Sequence, residues 1–192
     1  MKAIIYFTRL QEDHEKMQEH EAGQALLAYG LEQEYGIAYG KASIANGERG
    51  KPYLKDNSHV HFNISHSDCL AVCAFAPVEI GIDVQKHKKV SFVPILERTV
   101  PADLAREILD EGEVEPAFFA QWVMREAYIK WTGEGLSKDL RTIDMDRGWH
   151  TLLDVDKGYS GAIWSEEPLE VEWRYVPWEE CLSLSARLQG RS

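Results

Sequence analysis

The first half of the chain is predicted to form a strand, a long helix and three further strands. An apolar run predicts a strand at residues 3–7, and apolar positions at helical spacing predict a helix over residues 13–34, with Asp13 placed to cap its start. Glycines mark a loop region after this helix. Apolar runs separated by short turns then predict three strands, at residues 60–64, 69–76 and 79–85.

The second half is predicted to place helices before strands. Helical spacing predicts three helices, at residues 92–99, 101–109 and 116–131. Strands are expected near or within three later segments, at residues 142–145, 169–176 and 182–188. This order of elements indicates an α+β protein of two similar-sized halves, residues 1–78 and 79–192, packed as one unit without a flexible linker.

The composition is that of an ordinary globular protein. The chain has 192 residues, of which 44% are hydrophobic, enough for one large core or two packed halves. No run of about eighteen apolar residues is present, and the first residues become charged too early for a signal peptide. The three cysteines lack a paired spacing, which argues against a disulfide framework. We therefore expect a soluble, cytoplasmic protein.

The charge of the chain limits its partners. Its 21 Lys and Arg residues against 32 Asp and Glu residues give a net charge of −11, which repels nucleic acid and anionic membranes alike. A small phosphorylated ligand stays compatible with this charge, because local cations or a metal ion dominate within a Debye length of roughly 8–10 Å.

Two segments carry residues suited to phosphate chemistry. Asp83 follows an apolar run in residues 81–85 (GIDVQ), and Glu126 and Lys130 are one turn apart on the helix predicted at 116–131. Two carboxylates and an ammonium suit a magnesium ion that holds a phosphate, because hard cations accept few carboxylates and let substrate oxygens complete the octahedron. The alternative is an ordinary surface ion pair between Glu126 and Lys130, worth only about 0.2–0.5 kcal/mol.

Four blocks in order extend this pattern. They read GKPYL, FNISHS, GIDVQ and WVMREAYIKWTGEGL, at residues 50–54, 62–67, 81–85 and 122–136. In this order they resemble the Sfp-type 4′-phosphopantetheinyl transferases, and four ordered blocks are far more specific than any one of them. The resemblance spans most of the middle of the chain.

The resemblance implies a fold and an activity. The enzyme would take the phosphopantetheine arm from coenzyme A, attach it to a serine of an apo carrier protein and release adenosine 3′,5′-bisphosphate. The fold implied is a pseudo-dimer of two α+β halves within one monomer, with the coenzyme at their junction. A non-catalytic binding module and a phosphohydrolase that uses the same metal site are the rival functions. The pathway that the carrier protein serves stays open.

The resemblance also implies roles for the residues of the site. Asp83 and Glu126 would ligate Mg²⁺ on the pyrophosphate, and Lys130 would stabilise charge on the same phosphate. Glu126 is also a candidate for the base that accepts the proton of the carrier serine.

Three further residues are expected to bind the coenzyme. His66 and Ser65 would donate hydrogen bonds to its phosphate oxygens. Lys51, held extended by the following proline, would direct its ammonium at a phosphate or at the adenine end. The structural alternatives are a strand-end histidine and a solvated loop lysine. Trp122 belongs to an apolar stripe and is expected in the core rather than in the chemistry.

The chain departs from the family pattern at two places. Gln85 stands where relatives often have glutamate, and its amide is a weaker third ligand for magnesium, acting directly or through water. Where relatives commonly present arginine or lysine from the N-terminal helix to the 3′-phosphate of the coenzyme, this chain reads HEKMQEHEAGQ, at residues 14–24. Lys16, Lys41, Arg49 and the basic run at residues 86–89 are the alternatives, with no ground for a choice among them.

A zinc site is the alternative use for a cluster of His and Cys residues. The spacings fit no zinc template, and the alternation of a strand explains them better, for His59, His61, His66, Cys69 and Cys73.

Overall fold

The protein folds as a mixed α+β structure. The computed structural model describes residues 1–135, 137–188 and 190 and, for Lys41, only the main chain; Leu136, the last residue of the fourth block, lies outside the described residues. Within these ranges the strands are β1 Lys2–Arg9, β2 Ile44–Asn46, β3 Pro52–Leu54, β4 His61–Ser67, β5 Leu70–Ala76, β6 Ile80–Lys86, β7 Trp149–Leu153, β8 Tyr159–Ser165 and β9 Glu170–Tyr175. The helices are α1 Lys16–Tyr35, α2 Phe92–Thr99, α3 Ala102–Glu111, α4 Val114–Thr132 and α5 Trp178–Leu188.

Two sheets and one short hairpin organise these strands. The first sheet has the order β4-β5-β1-β9, in which β1 and β9 run parallel and the other pairs antiparallel. The second sheet is antiparallel with the order β6-β8-β7, and β2 pairs with β3. The first sheet therefore draws strands from both sides of the division predicted at residues 78 and 79.

The long first helix begins later than predicted. It starts at Lys16 with Glu15 in the cap position, not with Asp13. The side chain of Gln18 accepts a hydrogen bond from the backbone N–H of Glu15 at 2.8 Å, so an amide three residues into the helix satisfies this donor. The helix ends at Gly36, whose φ of 64° lies in the left-handed region that favours glycine.

Two predicted strands in the second half are wrong. The stretch at residues 142–145 overlaps a short 3-10 helix, Leu140–Thr142, which begins where the Asp139 side chain accepts from the N–H of Arg141. The stretch at 182–188 belongs to α5, because Trp178, Cys181 and Ser185 are its buried positions, at helical spacing. The strands β7 and β8, which lie between these two stretches, were missed.

The site is positioned by close packing of α4 on β6. At Gly81 an added Cβ would lie 2.0 Å from the carbonyl oxygen of Ala127 and 2.3 Å from the backbone nitrogen of Trp131, so only glycine lets the helix approach the strand this closely. The side chain of Asn63 on β4 accepts from the backbone N–H of Ile82 at 2.9 Å and joins the two sheets. Across the described ranges, no helix has the length and apolar character needed to span a membrane.

Candidate active site

A cavity of about 460 Å³ lies where β4, β6, α1 and α4 meet. Its wall includes Ser65, His66, Asp83, Glu126 and Lys130, so it brings together five residues that the sequence predicted for the site. It also includes Gln85, the third predicted metal ligand, and Trp122, which the sequence assigned to the core. The partly buried Trp122 packs against two apolar clusters as well as lining the cavity.

Asp83 is a buried carboxylate with a complete set of partners at one oxygen. The hydroxyl of Ser65 donates to Asp83 Oδ1 at 2.8 Å, and Lys130 Nζ donates to the same oxygen at 2.7 Å. Lys130 Nζ also donates to Ser65 Oγ at 2.9 Å. The backbone N–H of Val84 donates to Ser65 Oγ at 3.1 Å. A lysine of α4 thereby bonds an aspartate of β6 directly, and a serine of β4 bonds both of them.

Glu126 differs from Asp83 in lacking such partners. Its Oε1 is buried and has no hydrogen-bond partner among the described residues. Burial, helped by the negative charge of Asp83 and opposed by Lys130, raises the pKa of Glu126 to about 7. A carboxyl that titrates near neutral pH beside a second carboxylate in a cleft is typical of a functional group rather than of a surface ion pair.

Gln85 has an amide orientation set by its partners. Its Nε2 donates to the backbone carbonyl of Lys86 at 3.1 Å and to Ser67 Oγ at 3.0 Å. Because a carbonyl oxygen can only accept, the nitrogen must face Lys86. The amide oxygen is therefore the atom of Gln85 that is available to coordinate a cation.

Two carboxylates of the cavity fit a hard divalent cation. The orphaned Oε1 of Glu126 and the charge of Asp83 would both be compensated by positive charge between them. Throughout residues 1–135, 137–188 and 190, no group of three or more His, Cys, Asp or Glu side chains is arranged to hold a metal ion. Water or substrate oxygens would have to complete the coordination, as magnesium sites commonly require.

His66 lies at the edge of the cavity in contact with an acid that the sequence analysis did not single out. Its Nδ1 is 3.1 Å from Oε2 of Glu19, on the first turn of α1. The ring of His20 meets the His66 ring edge to face, with centroids 6.4 Å apart. Helical spacing placed Glu19 on α1, but no sequence signal pairs it with a strand residue 47 positions away.

Lys51 makes its polar contacts with the protein. Its Nζ donates to Glu79 Oε2 at 2.6 Å, to the carbonyl of Ile80 at 3.1 Å and to the carbonyl of Trp131 at 2.9 Å. The last contact satisfies a carbonyl at the C-terminal end of α4, where a cation complements the helix dipole. Contact of Lys51 with a ligand stays a prediction.

The other candidate cations occupy separate places. Arg49 donates to the carbonyl of Glu134 at 3.1 Å and lines an adjoining cavity of about 350 Å³ that Glu126 and Lys130 also line. Lys86 Nζ lies 4.4 Å from the centroid of the Tyr159 ring. The side chain of Lys41 lies outside the described residues. Arg49 therefore shares a cavity with Glu126 and Lys130, whereas the ammonium of Lys86 lies against an aromatic ring.

Comparison with known proteins identifies the family. The sequence model of the 4′-phosphopantetheinyl transferase superfamily matches residues 79–185, which include Asp83, Glu126 and Lys130. The chain is 34% identical to 4′-phosphopantetheinyl transferase Sfp of Bacillus subtilis over 165 residues, 76% of this chain and 73% of that protein. It is 32% identical to 4′-phosphopantetheinyl transferase psf-1 of Bacillus pumilus over 186 residues, 88% of this chain and 78% of that protein.

A more distant relative comes from human. The L-aminoadipate-semialdehyde dehydrogenase-phosphopantetheinyl transferase of Homo sapiens is 26% identical over 170 residues, 80% of this chain and 55% of that protein. The matched superfamily segment covers more than half of the chain, and the two Bacillus proteins are matched over most of their length. The chain therefore belongs to the 4′-phosphopantetheinyl transferase superfamily and is a transferase.

Proposed function

We propose that the protein transfers the 4′-phosphopantetheine arm of coenzyme A to a serine of an apo acyl or peptidyl carrier protein, with Mg²⁺ as cofactor. Adenosine 3′,5′-bisphosphate would be the second product. The observation that carries this proposal is the convergence of Asp83, Glu126 and Lys130 in one cavity. The names of the Bacillus relatives support the same reaction class.

In this reaction the serine oxygen forms a bond to the phosphorus of phosphopantetheine. The bond from that phosphorus to the oxygen of adenosine 3′,5′-bisphosphate breaks, and the electron pair leaves with the nucleotide. The serine proton needs an acceptor, and Glu126, whose pKa burial raises to about 7, is the proposed base.

Lys130 contributes a fixed positive charge. Its ammonium is held by Asp83 and by Ser65, so little reorganisation is needed when negative charge develops on a phosphate oxygen beside it. The backbone N–H of Val84 in turn donates to Ser65. This bond fixes Ser65 and so limits the motion of the Lys130 ammonium that Ser65 holds. His66 and Lys51 are proposed as contacts for the rest of the coenzyme.

Mg²⁺ would be held by Asp83 and Glu126, with the amide oxygen of Gln85 as a third, weaker ligand. When bound, it supplies positive charge that neutralises the pyrophosphate and its leaving oxygen. Asp83 is kept in place for this role by its bonds to Ser65 and Lys130. The unpaired oxygen of Glu126 is the atom that gains most from a cation.

We further propose that the two halves, residues 1–78 and 79–192, form a pseudo-dimer within a cytoplasmic monomer, with coenzyme A at their junction. The cavity supports this arrangement because its walls come from β4 on one side and from β6 and α4 on the other. The net charge of −11 disfavours an acidic carrier protein at long range. Recognition of the carrier would therefore depend on a local apolar or basic patch.

Mass spectrometry of the acceptor tests the function. The protein is incubated with coenzyme A, Mg²⁺ and a set of apo carrier proteins from fatty acid, polyketide and nonribosomal peptide synthesis. We expect addition of the phosphopantetheine mass to at least one carrier, and none with a carrier whose acceptor serine is replaced by alanine. Binding of coenzyme A without transfer would favour a binding module, and cleavage of coenzyme A without a carrier would favour hydrolysis.

A further inference from the structure

Glu19 forms the centre of a small network beside the cavity. Its two carboxylate oxygens face two different histidines: Oε2 lies 3.1 Å from His66 Nδ1, and Oε1 lies 3.4 Å from His14 Nε2. The side chains of Glu19 and His14 are only 15% and 7% exposed. A largely buried acid shared by two imidazoles, one of which lines a cavity, differs from a solvated residue of a helix surface.

The partners determine which ring nitrogen of His66 carries a proton. A carboxylate oxygen can only accept a hydrogen bond, so the contact with Glu19 requires a hydrogen on Nδ1 of His66. The other ring nitrogen, Nε2, is then left for a ligand in the cavity that His66 lines. When the ring is protonated, Nε2 donates to an anionic oxygen, and the Glu19 carboxylate balances the charge of the imidazolium.

The same logic makes His14 an anchor for Glu19. Its Nδ1 lies 2.7 Å from the backbone carbonyl of Gln11, which can only accept, while its Nε2 faces the Glu19 carboxylate. Both contacts are satisfied when both nitrogens of His14 carry hydrogen. Glu19 also sits in the first turn of α1, where the helix dipole stabilises a negative charge. The contact with His14 therefore holds the Glu19 carboxylate, and the helix N-terminus stabilises its charge, independently of His66.

We propose that Glu19 is a positioning residue for coenzyme binding: it fixes the orientation and the Nδ1–H form of His66, so that Nε2 is presented to the ligand. This inference rests on the proposed function for the identity of the ligand, coenzyme A. It predicts that Glu19 acts through His66 and makes no contribution without it. Removing the acid that orients a metal-ligating histidine typically changes affinity or activity by about 10–100-fold, and we expect an effect at the lower end of this range for a histidine that binds a phosphate.

A double-mutant cycle tests the coupling. The KM for coenzyme A and kcat are measured for Glu19→Ala, His66→Ala and the double variant, with Glu32→Ala on the exposed face of α1 as the matched control. We expect Glu19→Ala to raise KM by about tenfold with little change in kcat, and to add nothing in the His66→Ala background. Independent multiplication of the two effects would overturn the proposal.

NMR of the histidine rings tests the mechanism without relying on activity. With ¹⁵N-labelled histidine, His66 of the unaltered protein is expected to show its hydrogen on Nδ1, and Glu19→Ala is expected to lose this preference. Glu19→Gln keeps an acceptor oxygen but not the charge, so it should restore the preference and recover part of the KM. An unchanged His66 signal in Glu19→Ala would refute the positioning role.

The two levels of failure are distinguishable. If the unaltered protein transfers nothing to any carrier, the proposed function fails, while the NMR measurement still decides whether Glu19 sets the form of His66. If transfer occurs and His66→Ala impairs it, but Glu19→Ala leaves KM unchanged, only the role of Glu19 fails.

Discussion

The two walls of the cavity treat their polar side chains differently. The strand wall, formed by β4 and β6, pairs them: Asn63 bonds the N–H of Ile82, Ser65 bonds Asp83, and Ser67 accepts from the Gln85 amide. The helix wall, formed by α4, pairs Lys130 with the strands but leaves Oε1 of Glu126 buried without a partner among the described residues.

The difference distinguishes the side chains that hold the two sheets together from the carboxyl that is available for chemistry. Positions 63, 65 and 67 share one face of β4 because side chains alternate along a strand, and each finds a partner on β6. A buried polar group without a partner costs about 1–3 kcal/mol, so the fold retains the carboxyl of Glu126 at a cost. Such uncompensated groups concentrate where a ligand or a cation is to be bound.

The largest effect is expected from neutralising the acid of the helix wall. Glu126→Gln should lower kcat by about 1,000-fold at saturating magnesium, because both a metal ligand and the candidate base are lost. The rate of phosphopantetheine addition to a carrier protein measures it. Glu111→Gln, at the exposed end of α3, is the matched control. A near-normal rate for Glu126→Gln would contradict both roles.

The contact between the two walls can be broken at Gly81. Gly81→Ala would force a Cβ into the backbone of α4 at Ala127 and Trp131, so we expect a loss of roughly 3 kcal/mol in the free energy of unfolding. Urea denaturation measures this loss. At Gly40 an added Cβ meets nothing within 4 Å, and Gly40→Ala should change stability by less than about 1 kcal/mol. Equal effects of the two substitutions would refute the close approach.

The pH dependence of the free energy of unfolding measures what it costs to bury the ionised carboxyl of Glu126. Burial raises its pKa in the folded protein to about 7 from 4.5, so between these values the folded state binds more protons than the unfolded state. The contribution of Glu126 to stability must then fall as the pH rises through this window, by at most about 3 kcal/mol before solvent screening reduces it, and level off above it. Urea denaturation from pH 4.5 to 8 with a chelator present measures the slope.

The control for this slope is Glu126→Gln, which has no proton to lose. It should be more stable than the unaltered protein at pH 8, and the difference should shrink toward pH 4.5. Identical slopes for the two proteins would assign the pH dependence to other groups.

The smallest effect is expected on the strand wall. Gln85→Glu should tighten the apparent affinity for Mg²⁺ by about three- to tenfold, since a carboxylate is the stronger ligand. It should also cost about 1 kcal/mol of stability, because Nε2 no longer donates to Ser67 and Lys86. Magnesium titration of transferase activity measures the first effect. Equal or tighter affinity of the unaltered protein would exclude Gln85 from the metal site.

Sequence reasoning was reliable where the signal is local. Apolar runs located the strands around residues 3–7, 60–64 and 69–76, and helical spacing located α1 through α4. It failed at α5, where Leu182 and Leu188 looked like a strand although they are among the exposed apolar residues. It also missed β7 and β8: β8 joins the sheet by pairing with distant β6, and β7 joins it by pairing with β8.

The ordered blocks around Lys51, His66, Asp83 and Glu126 were sufficient by themselves to determine the family, because short motifs are read directly along the chain. Only the tertiary structure decided how these residues are held. It joined Lys130, Asp83 and Ser65 by mutual hydrogen bonds and left Oε1 of Glu126 without a partner among the described residues. It also directed Lys51 at the end of α4 and brought Glu19 to His66. Hydrogen bonding and desolvation depend on neighbours in space, and residues 47 or 80 positions apart carry no mark of their contact in the sequence.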